Sequence, residues 1–151
     1  MDKPFQRIGS KSNSHVGREF ELIAQRIFAI QRDVHLRLSH PVEVGIGSVK
    51  KRHNFDLGCD DQKWLVECKS HRWTSGNNVP VAKMTTWNEA MYYFLAAPDY
   101  YRKALFVLKD LRHSNGESLA SFYARTYGHL IPQSVEIWEY DEATDTATRV
   151  T

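Results

Sequence analysis

The chain has 151 residues, a length that fits a single domain with one sizeable core. Charged residues make up 25% of it and hydrophobic residues 42%, which is ordinary for a soluble globular protein. The net charge is only +2, so the composition alone does not indicate a nucleic-acid partner. Any positively charged binding surface must therefore come from local clustering of basic residues. No apolar run is as long as a membrane span, and the N-terminus lacks the apolar core of a signal peptide. We therefore expect a cytoplasmic protein without a membrane partner.

The first predicted element is a helix over residues 14–32, which follows a polar arm over residues 1–13 and has Ser14 as its N-cap. Its larger apolar residues recur in steps of three and four, as a buried helical stripe requires. That predicted stripe consists of Val16, Phe20, Ile23, Ile27 and Ile30. The neighbouring row contains small residues that would let the helix approach a sheet closely, and it consists of Gly17, Glu21, Ala24 and Phe28.

Two glutamates of this helix flank the predicted stripe. Glu21 lies at one edge and Glu19 at the opposite edge, so either is placed to lean over a neighbouring sheet. Helical geometry alone does not choose between them. For either glutamate taken singly, an ordinary, partly exposed position without a function is about as common as a functional one.

A connector over residues 33–40 is predicted to lead into a first strand over residues 41–47, where apolar residues alternate with others. A basic run follows this strand and contains Lys50, Lys51 and Arg52. A run of this kind is usually a solvated loop. Beside an anionic ligand, it would instead contact phosphates.

Residues 54–70 predict a hairpin with a tight polar turn at residues 60–63. A turn centred there places Asp56 directly opposite Glu67, and strand alternation places Lys69 on the same face. Gly58 is predicted to leave space beside Asp56 on that face, since it has no side chain. The other face is predicted to be a core side with two reduced cysteines, and it consists of Phe55, Leu57, Cys59, Trp64, Val66 and Cys68.

The charged face of this hairpin points to a metal site. Two carboxylates directly opposite each other repel, so a shared proton, a nearby cation or a divalent metal must offset the repulsion. Hard oxygen ligands from Asp56 and Glu67 suit Mg²⁺ or Mn²⁺. Lys69 adds a fixed positive charge that would steady an attacking water or a charged transition state. An E-x-K motif by itself is weak and reads as solvated surface charge, but the opposed aspartate and the preceding helix glutamate favour a functional site.

The rest of the chain continues the alternation of helices and strands. A polar loop over residues 70–78 leads to a helix that begins near Pro80 and ends before Pro98. The core stripe of this helix is predicted to be Met84, Trp87, Met91 and Phe94. A strand buried on both faces (103–110), a third helix (118–127) and two edge strands (135–140 and 146–150) follow. This order predicts an α/β fold of three layers with a mixed central sheet.

These residues resemble a known family. A Gly17-x-x-Phe20-Glu21 helix start, Asp56 on a strand, and Glu67-Cys68-Lys69 on the next strand are similar to the motif of the PD-(D/E)xK nuclease superfamily, although Phe55 stands where that motif names proline. The superfamily includes restriction endonucleases, Mrr-like nucleases and archaeal Holliday junction resolvases.

The resemblance implies a restriction-endonuclease-like fold with an α-β-β-β-α-β core over residues 14–110. We expect a single nuclease-like domain over residues 1–151, in which residues 111–151 add a C-terminal helix and edge strands.

The same resemblance implies Mg²⁺-dependent phosphodiester hydrolysis. Asp56, Glu67 and Glu21 would bind the metal, and Lys69 would assist the nucleophile; the family pattern is what favours Glu21 over Glu19. The substrate is expected to be double-stranded DNA, with RNA left open, and cutting is expected to be directed by structure or only weakly by sequence. Two other classes stay open, namely a nucleic-acid-binding module that has lost catalysis and a structural or interaction domain.

The expected phosphate contacts converge at one end of the hairpin. Antiparallel pairing brings together the residues that enter the Asp56 strand and those that leave the Glu67 strand. These contacts are Lys50, Lys51, Arg52, His71 and Arg72. A homodimer is also expected, because a duplex has two strands to cut. Tyr100, Tyr101 and the C-terminal edge strands are its predicted contact surfaces.

Overall fold

The computed structural model describes residues 13–151, so the arm expected over residues 1–13 lies outside the described part except for Asn13. The described residues form three α-helices, namely α1 (Asn13–Arg32), α2 (Val81–Ala96) and α3 (Leu119–Tyr127). A short 3-10 helix, Gly128–Leu130, follows α3. The strands are β1 (Arg37–Val44), β2 (Lys51–Cys59), β3 (Trp64–Lys69), β4 (Arg102–Leu108), β5 (Val135–Asp141) and β6 (Thr146–Arg149).

All six strands belong to one mixed sheet in the order β1-β2-β3-β4-β5-β6. The pairs β1–β2, β2–β3 and β5–β6 are antiparallel, whereas β3–β4 and β4–β5 are parallel. The prediction that both C-terminal strands are edge strands is wrong for β5, which pairs with β4 on one side and β6 on the other. Its consecutive residues 135–138 are all buried, as an internal strand covered on both faces requires.

Helices cover both faces of the sheet. The crossovers β3-α2-β4 and β4-α3-β5 advance in the same direction across the sheet, so right-handed connections place α2 and α3 on the same face. Their side chains pack there in one core, with Trp87, Phe94 and Tyr123 fully buried. On the other face, α1 packs in a second core around Phe28 and Phe106. The predicted three-layer α/β architecture with a mixed sheet is confirmed.

The buried side of α1 is rotated from the predicted stripe. Phe20 and Ile27 are buried as expected, but Val16 is 40% exposed and Ile30 is 71% exposed. Ala24 and Phe28, from the neighbouring row, complete the contact instead. The small side chain of Ala24 lets the helix approach the sheet closely, so the second row supplies half of the interface. The N-cap prediction for Ser14 is also wrong, because the helix already includes Asn13.

The first strand begins earlier than predicted and ends earlier too. It covers Arg37–Val44, and Ile46 is 61% exposed in the following loop. The loop turns sharply at Gly45, where a β-carbon would lie only 2.2 Å from the carbonyl oxygen of Val49. This close approach ends the strand before Ile46.

The closed end of the β2–β3 hairpin is fixed by side-chain hydrogen bonds. Its turn occupies residues 60–63 as predicted. Asp60 Oδ1 accepts a hydrogen bond from the Tyr101 hydroxyl at 2.5 Å and lies 2.9 Å from His40 Nε2. The predicted exposed tyrosine pair is therefore wrong for Tyr101, which is buried, whereas Tyr100 is exposed.

Two further features concern the whole described chain. In residues 13–151, no helix has both the length and the apolar character needed to cross a membrane. Cys59 and Cys68 are free thiols, partly buried against the α1 core, in agreement with the predicted reduced state.

Candidate active site

The candidate site lies where β2 and β3 separate. Their pairing follows the predicted register but ends at Leu57 and Val66, while β3 continues to Lys69 paired with β4. The predicted direct pairing of Asp56 with Glu67 is therefore not formed. We call the opening bounded by Asp56 on one side and residues 67–69 on the other the fork.

Asp56 interrupts the regular alternation of β2. Phe55 packs in the core beneath α2 and Leu57 in the core beneath α1, although they are two residues apart. The prediction that both lie on one face is wrong, because the chain twists at Asp56 to fill both cores. On the neighbouring strand, Ser39 has a φ of 55° at the same level, between the pairs His40–Phe55 and Leu38–Leu57. Both chains are thus irregular beside Asp56.

The carboxylate of Asp56 takes the place of the missing strand pairing. Its Oδ2 accepts a hydrogen bond from the backbone N–H of Cys68 at 2.8 Å. Gly58 does not provide the predicted space beside Asp56, because a β-carbon there would meet the His40 ring at 2.5 Å. Room at the carboxylate comes from the separation of the strands instead.

Glu67 is the most buried carboxylate of the fork, at 8% exposure. Burial, together with the nearby charge of Asp56, raises its pKa to about 7, although a hydrogen bond from His53 opposes the shift. His53 Nε2 lies 3.5 Å from Glu67 Oε1. At neutral pH the buried carboxyl group is thus close to its midpoint of protonation when no cation is bound.

Glu21 approaches the fork from α1. Its side chain is only 20% exposed, and Arg18 Nη1 lies 3.3 Å from its Oε2. Burial and then the charge of Asp56 raise the pKa of Glu21, while Arg18 acts in the opposite direction. Glu19 points elsewhere, with His15 Nε2 at 3.2 Å from its Oε1. Of the two helix glutamates, Glu21 is thus the one beside Asp56.

The pKa of the Cys68 thiol is shifted by the charges of all the predicted catalytic groups. Burial raises its pKa, and the charges of Asp56, Glu67 and Glu21 raise it further, whereas the charge of Lys69 lowers it. These three carboxylates and one ammonium group, which the sequence places on three different elements, are therefore all close enough to Cys68 to act on its thiol. Their roles in metal binding and catalysis remain predictions.

The donor set of the fork fits a hard divalent cation. Asp56, Glu67 and Glu21 supply carboxylate oxygens, which Mg²⁺ and Mn²⁺ prefer. Burial and then the charge of Asp56 raise the pKa values of Glu67 and Glu21, and a bound cation would favour the charged form of both carboxylates. Within residues 13–151, no three His, Cys, Asp or Glu side chains already stand as a complete ligand set. Mg²⁺ commonly keeps several waters and uses only one or two carboxylates.

Two predicted phosphate contacts after β3 have other partners. His71 Nδ1 accepts a hydrogen bond from the Trp87 indole N–H at 2.9 Å. Burial and then the charges of Lys69 and Lys83 lower the pKa of His71 to about 4, so the ring is neutral at pH 7. Arg72 donates to both carboxylate oxygens of Glu142 at 3.1 Å. Their contact with nucleic acid remains a prediction, but neither now offers an uncompensated positive charge.

The basic run before the fork divides into two kinds of residue. Lys50 Nζ donates to the carbonyl oxygen of Gly45 at 2.7 Å and so closes its own loop. Lys51 and Arg52 begin β2, are exposed, and form no ion pair with a carboxylate of the described chain. Their contact with phosphates also remains a prediction.

Sequence reasoning missed the part of the site formed by His53 and Tyr93. No role was predicted for His53, but it lies within β2 and stacks on Tyr93 with ring centroids 3.8 Å apart and planes at 12°. Its edge meets Phe55 at 4.7 Å. The available signal was the odd-numbered alternation of His53 with Phe55, which extends the strand backwards.

The fold and the site together define an α/β protein with a carboxylate cluster in the fork of two diverging strands. The chain matches no family model and no curated protein. A solved structure similar to it is the crystal structure of a FdxN element excision controlling factor protein from Anabaena variabilis, with 13% sequence identity and a TM-score of 0.48. The match covers 87% of this chain and 98% of that chain. It assigns neither a family nor a function.

Proposed function

We propose that this chain is a metal-dependent endonuclease of restriction-endonuclease-like fold that hydrolyses phosphodiester bonds in DNA. The observation that carries the proposal is the convergence of Asp56, Glu67, Glu21 and Lys69 at the fork. Neighbouring carboxylates whose pKa values are raised by burial and by each other are typical of functional sites. The motif resemblance described above supports the same class.

Each residue of the fork has a distinct role in this proposal. Mg²⁺ or Mn²⁺, when bound, supplies a hydroxide near neutral pH and shields the charge of the leaving oxygen. Asp56 is held in place by the Cys68 amide and offers its carboxylate to the cation. Glu67 loses its proton when the cation binds, and Glu21 completes the oxygen donors. Lys69 stabilises negative charge as it develops on the phosphate.

The rigidity of the site follows from its position on the sheet. Glu67 and Lys69 lie on a strand that pairs with β4 along its whole length. A reacting phosphate must lie in line with the attacking water, and a platform of this kind holds the groups in one geometry. Glu21 is carried by a helix whose Ala24 packs tightly on the sheet.

A cleavage assay tests the proposal directly. Supercoiled, linear and branched DNA, and RNA, are incubated with the protein with and without Mg²⁺ or Mn²⁺. We expect cleavage of DNA that needs the metal and is lost in Asp56→Asn. Asp61→Asn is the matched control, because Asp61 is an exposed residue of the turn at the closed end of the hairpin.

The other outcomes of this assay identify the competing classes. Binding of DNA without cleavage in either metal would identify a catalytically inactive nucleic-acid-binding module. Absence of both binding and cleavage on every substrate would identify a structural or interaction domain. Cleavage that persists in Asp56→Asn would remove the fork from the mechanism.

A further inference from the structure

One edge of α2 borders the fork. Lys83, Thr86, Ala90 and Tyr93 follow one another in steps of three, four and three, and they therefore form one row along the helix. Tyr93 stacks on His53, the residue that contacts Glu67. The row thus runs from the buried side of the site at Tyr93 to Lys83 in the first turn of the helix.

The position of Lys83 relative to the catalytic lysine follows from His71. The hydrogen bond between His71 Nδ1 and Trp87 Nε1 fixes the chain that leaves β3 against α2, one helical turn from Lys83. The charges of Lys69 and Lys83 both act on the His71 ring. Both ammonium groups are therefore close enough to the His71 ring to act on it, and the hydrogen bond to Trp87 holds that ring against α2.

Lys83 has no ion-pair partner among the described residues. Lys83 is exposed and forms no ion pair with a described carboxylate, whereas Lys69 is half-buried and its charge acts on the neighbouring Glu67. Arg26, by contrast, is paired with Asp145 at 2.8 Å. The first turn of α2 also contains no acidic residue. The exposed charge of Lys83, which lies at the edge of the fork and has no carboxylate partner, favours an anion beside it.

We infer that Lys83 binds a backbone phosphate of the nucleic acid next to the phosphate that is cut, so that α2 forms one wall of the substrate channel. The inference rests on the proposed function and extends it to a residue outside the motif. A phosphate contact by a lysine at this place is blind to sequence and sensitive to salt. It holds the strand in register with Lys69 and the metal-binding carboxylates.

The first test is a salt series of DNA binding by fluorescence anisotropy. A fluorescein-labelled duplex is titrated in Ca²⁺ with wild type, Lys83→Gln and Lys83→Arg. The plot of log affinity against log salt has a negative slope. Removing one phosphate contact should make that slope less steep by about one and weaken binding several-fold at low salt. Lys83→Arg should keep most of the wild-type slope because it keeps the charge.

Lys63→Gln is the matched control for this series. Lys63 lies in the turn at the closed end of the hairpin and packs over the Tyr100 ring at 5.0 Å. It undergoes the same change of charge, so non-specific effects of net charge appear in both variants. Only Lys83→Gln should change the slope. Lysine and glutamine have similar helix propensities, so the fold of Lys83→Gln is expected to be intact, and a thermal melt verifies this.

The second test locates the contact on the substrate. Single phosphates around a mapped cleavage position are replaced in turn by uncharged methylphosphonates. One flanking replacement should weaken wild-type binding several-fold but add nothing in Lys83→Gln, because both changes remove the same interaction.

The results separate failure of the inference from failure of the proposed function. Wild type that binds and cuts DNA, together with a Lys83→Gln variant whose slope equals that of Lys63→Gln, overturns the inference and leaves the nuclease function standing. The inference is also overturned if every methylphosphonate weakens binding by Lys83→Gln as much as it weakens binding by wild type. Wild type that neither binds nor cuts overturns the proposed function and the inference with it.

Discussion

The carboxylate of Asp56 accepts a hydrogen bond from the backbone amide of Cys68, across the point where β2 and β3 separate. In a regular hairpin a main-chain carbonyl would accept a hydrogen bond of this kind, whereas here the side-chain carboxylate accepts it. The bond satisfies a buried donor and also holds Asp56 towards Glu67 and Glu21. A substitution that keeps the acceptor but removes the charge can therefore separate structure from metal binding.

Asp56→Asn is predicted to lose affinity for a divalent cation while the protein remains folded. The asparagine carbonyl can still accept from Cys68, but a neutral amide is a poorer ligand than a carboxylate. Titration of Mn²⁺ by calorimetry should show binding to wild type and to Asp61→Asn, with a loss of at least about tenfold in Asp56→Asn, in line with a ligand change of this kind. Equal affinity in all three proteins would mean that the fork is not the cation site.

Glu67→Gln is predicted to stabilise the metal-free protein at high pH. The folded pKa of Glu67, about 7, lies above its ordinary value of 4.5, so the folded state binds more protons than the unfolded state between these values. The stability linked to this group is full below about pH 4.5 and is lost as the pH rises through about 7. The loss amounts to about 3 kcal/mol at most.

Denaturant unfolding in EDTA at pH 5 and pH 8 measures this effect. The gain of Glu67→Gln over wild type should be large at pH 8 and small at pH 5. Glu89→Gln, an exposed change on α2, should show no such difference. A gain of the same size at both pH values would show that the effect comes from packing and not from charge.

Lys69→Ala is predicted to reduce cleavage by about a hundredfold or more while the fold stays intact. Lys69 is the last residue of β3 and is only half-buried, so its ammonium group contributes little to the core. Loss of one preorganised donor at developing charge commonly has an effect of this size. Single-turnover rates with saturating DNA measure it, and Lys63→Ala is the control. An unchanged rate would exclude Lys69 from the mechanism, and loss of cooperative unfolding would identify it as structural.

The basic run is predicted to contact phosphates through Lys51 and Arg52 more than through Lys50. Lys50 is occupied by the Gly45 carbonyl, whereas the other two are exposed without a described ion-pair partner. Replacing Lys51 and Arg52 with alanine should weaken binding evenly across DNA sequences. It should also make the slope of log affinity against log salt less steep by about two. Lys50→Ala alone should leave the slope unchanged. A wild-type slope in the double variant would identify the run as a solvated loop.

A homodimer on DNA is the remaining prediction. In the proposed function each fork would cut one strand, so a pair of chains would cut both strands of a duplex. Tyr100 remains available as a contact, but Tyr101 does not, and β6 is the C-terminal strand with a free edge. Light scattering of the protein with a duplex in Ca²⁺ should give the mass of two chains per DNA. A mass of one chain at working concentration would contradict this.

The parts of the fold that could be predicted from sequence depend on local patterns. The turn at residues 60–63 and the register of Leu57 with Val66 follow from turn residues and from the two-residue period of a strand. The core residues Met84 and Trp87 follow from helical spacing. These signals lie within a few positions of the residues that they place.

The separation of the strands could not be predicted in this way. Phe55 and Leu57 are both apolar, and the period of a strand places them on one face; only the presence of a core on each side of the sheet separates them. The partners of His53 and Arg72 are likewise distant in sequence, since Tyr93 and Glu142 come from later elements. Such contacts depend on how helices and strands pack together, which a pattern of residue types does not encode.

The anchored turn of the hairpin has a consequence for the fork. Asp60 is tied to His40 on β1 and to Tyr101 just before β4, so the closed end of the hairpin is joined to strands on both sides of it. The closed end of the hairpin is thereby held against both neighbouring strands, and the fork opens beyond the Leu57–Val66 pair, away from this anchor. In the proposed function, a substitution at Asp60 would therefore reach the fork without touching Asp56 or Glu67, and a displacement of about 1 Å there would be enough to misalign a reacting phosphate.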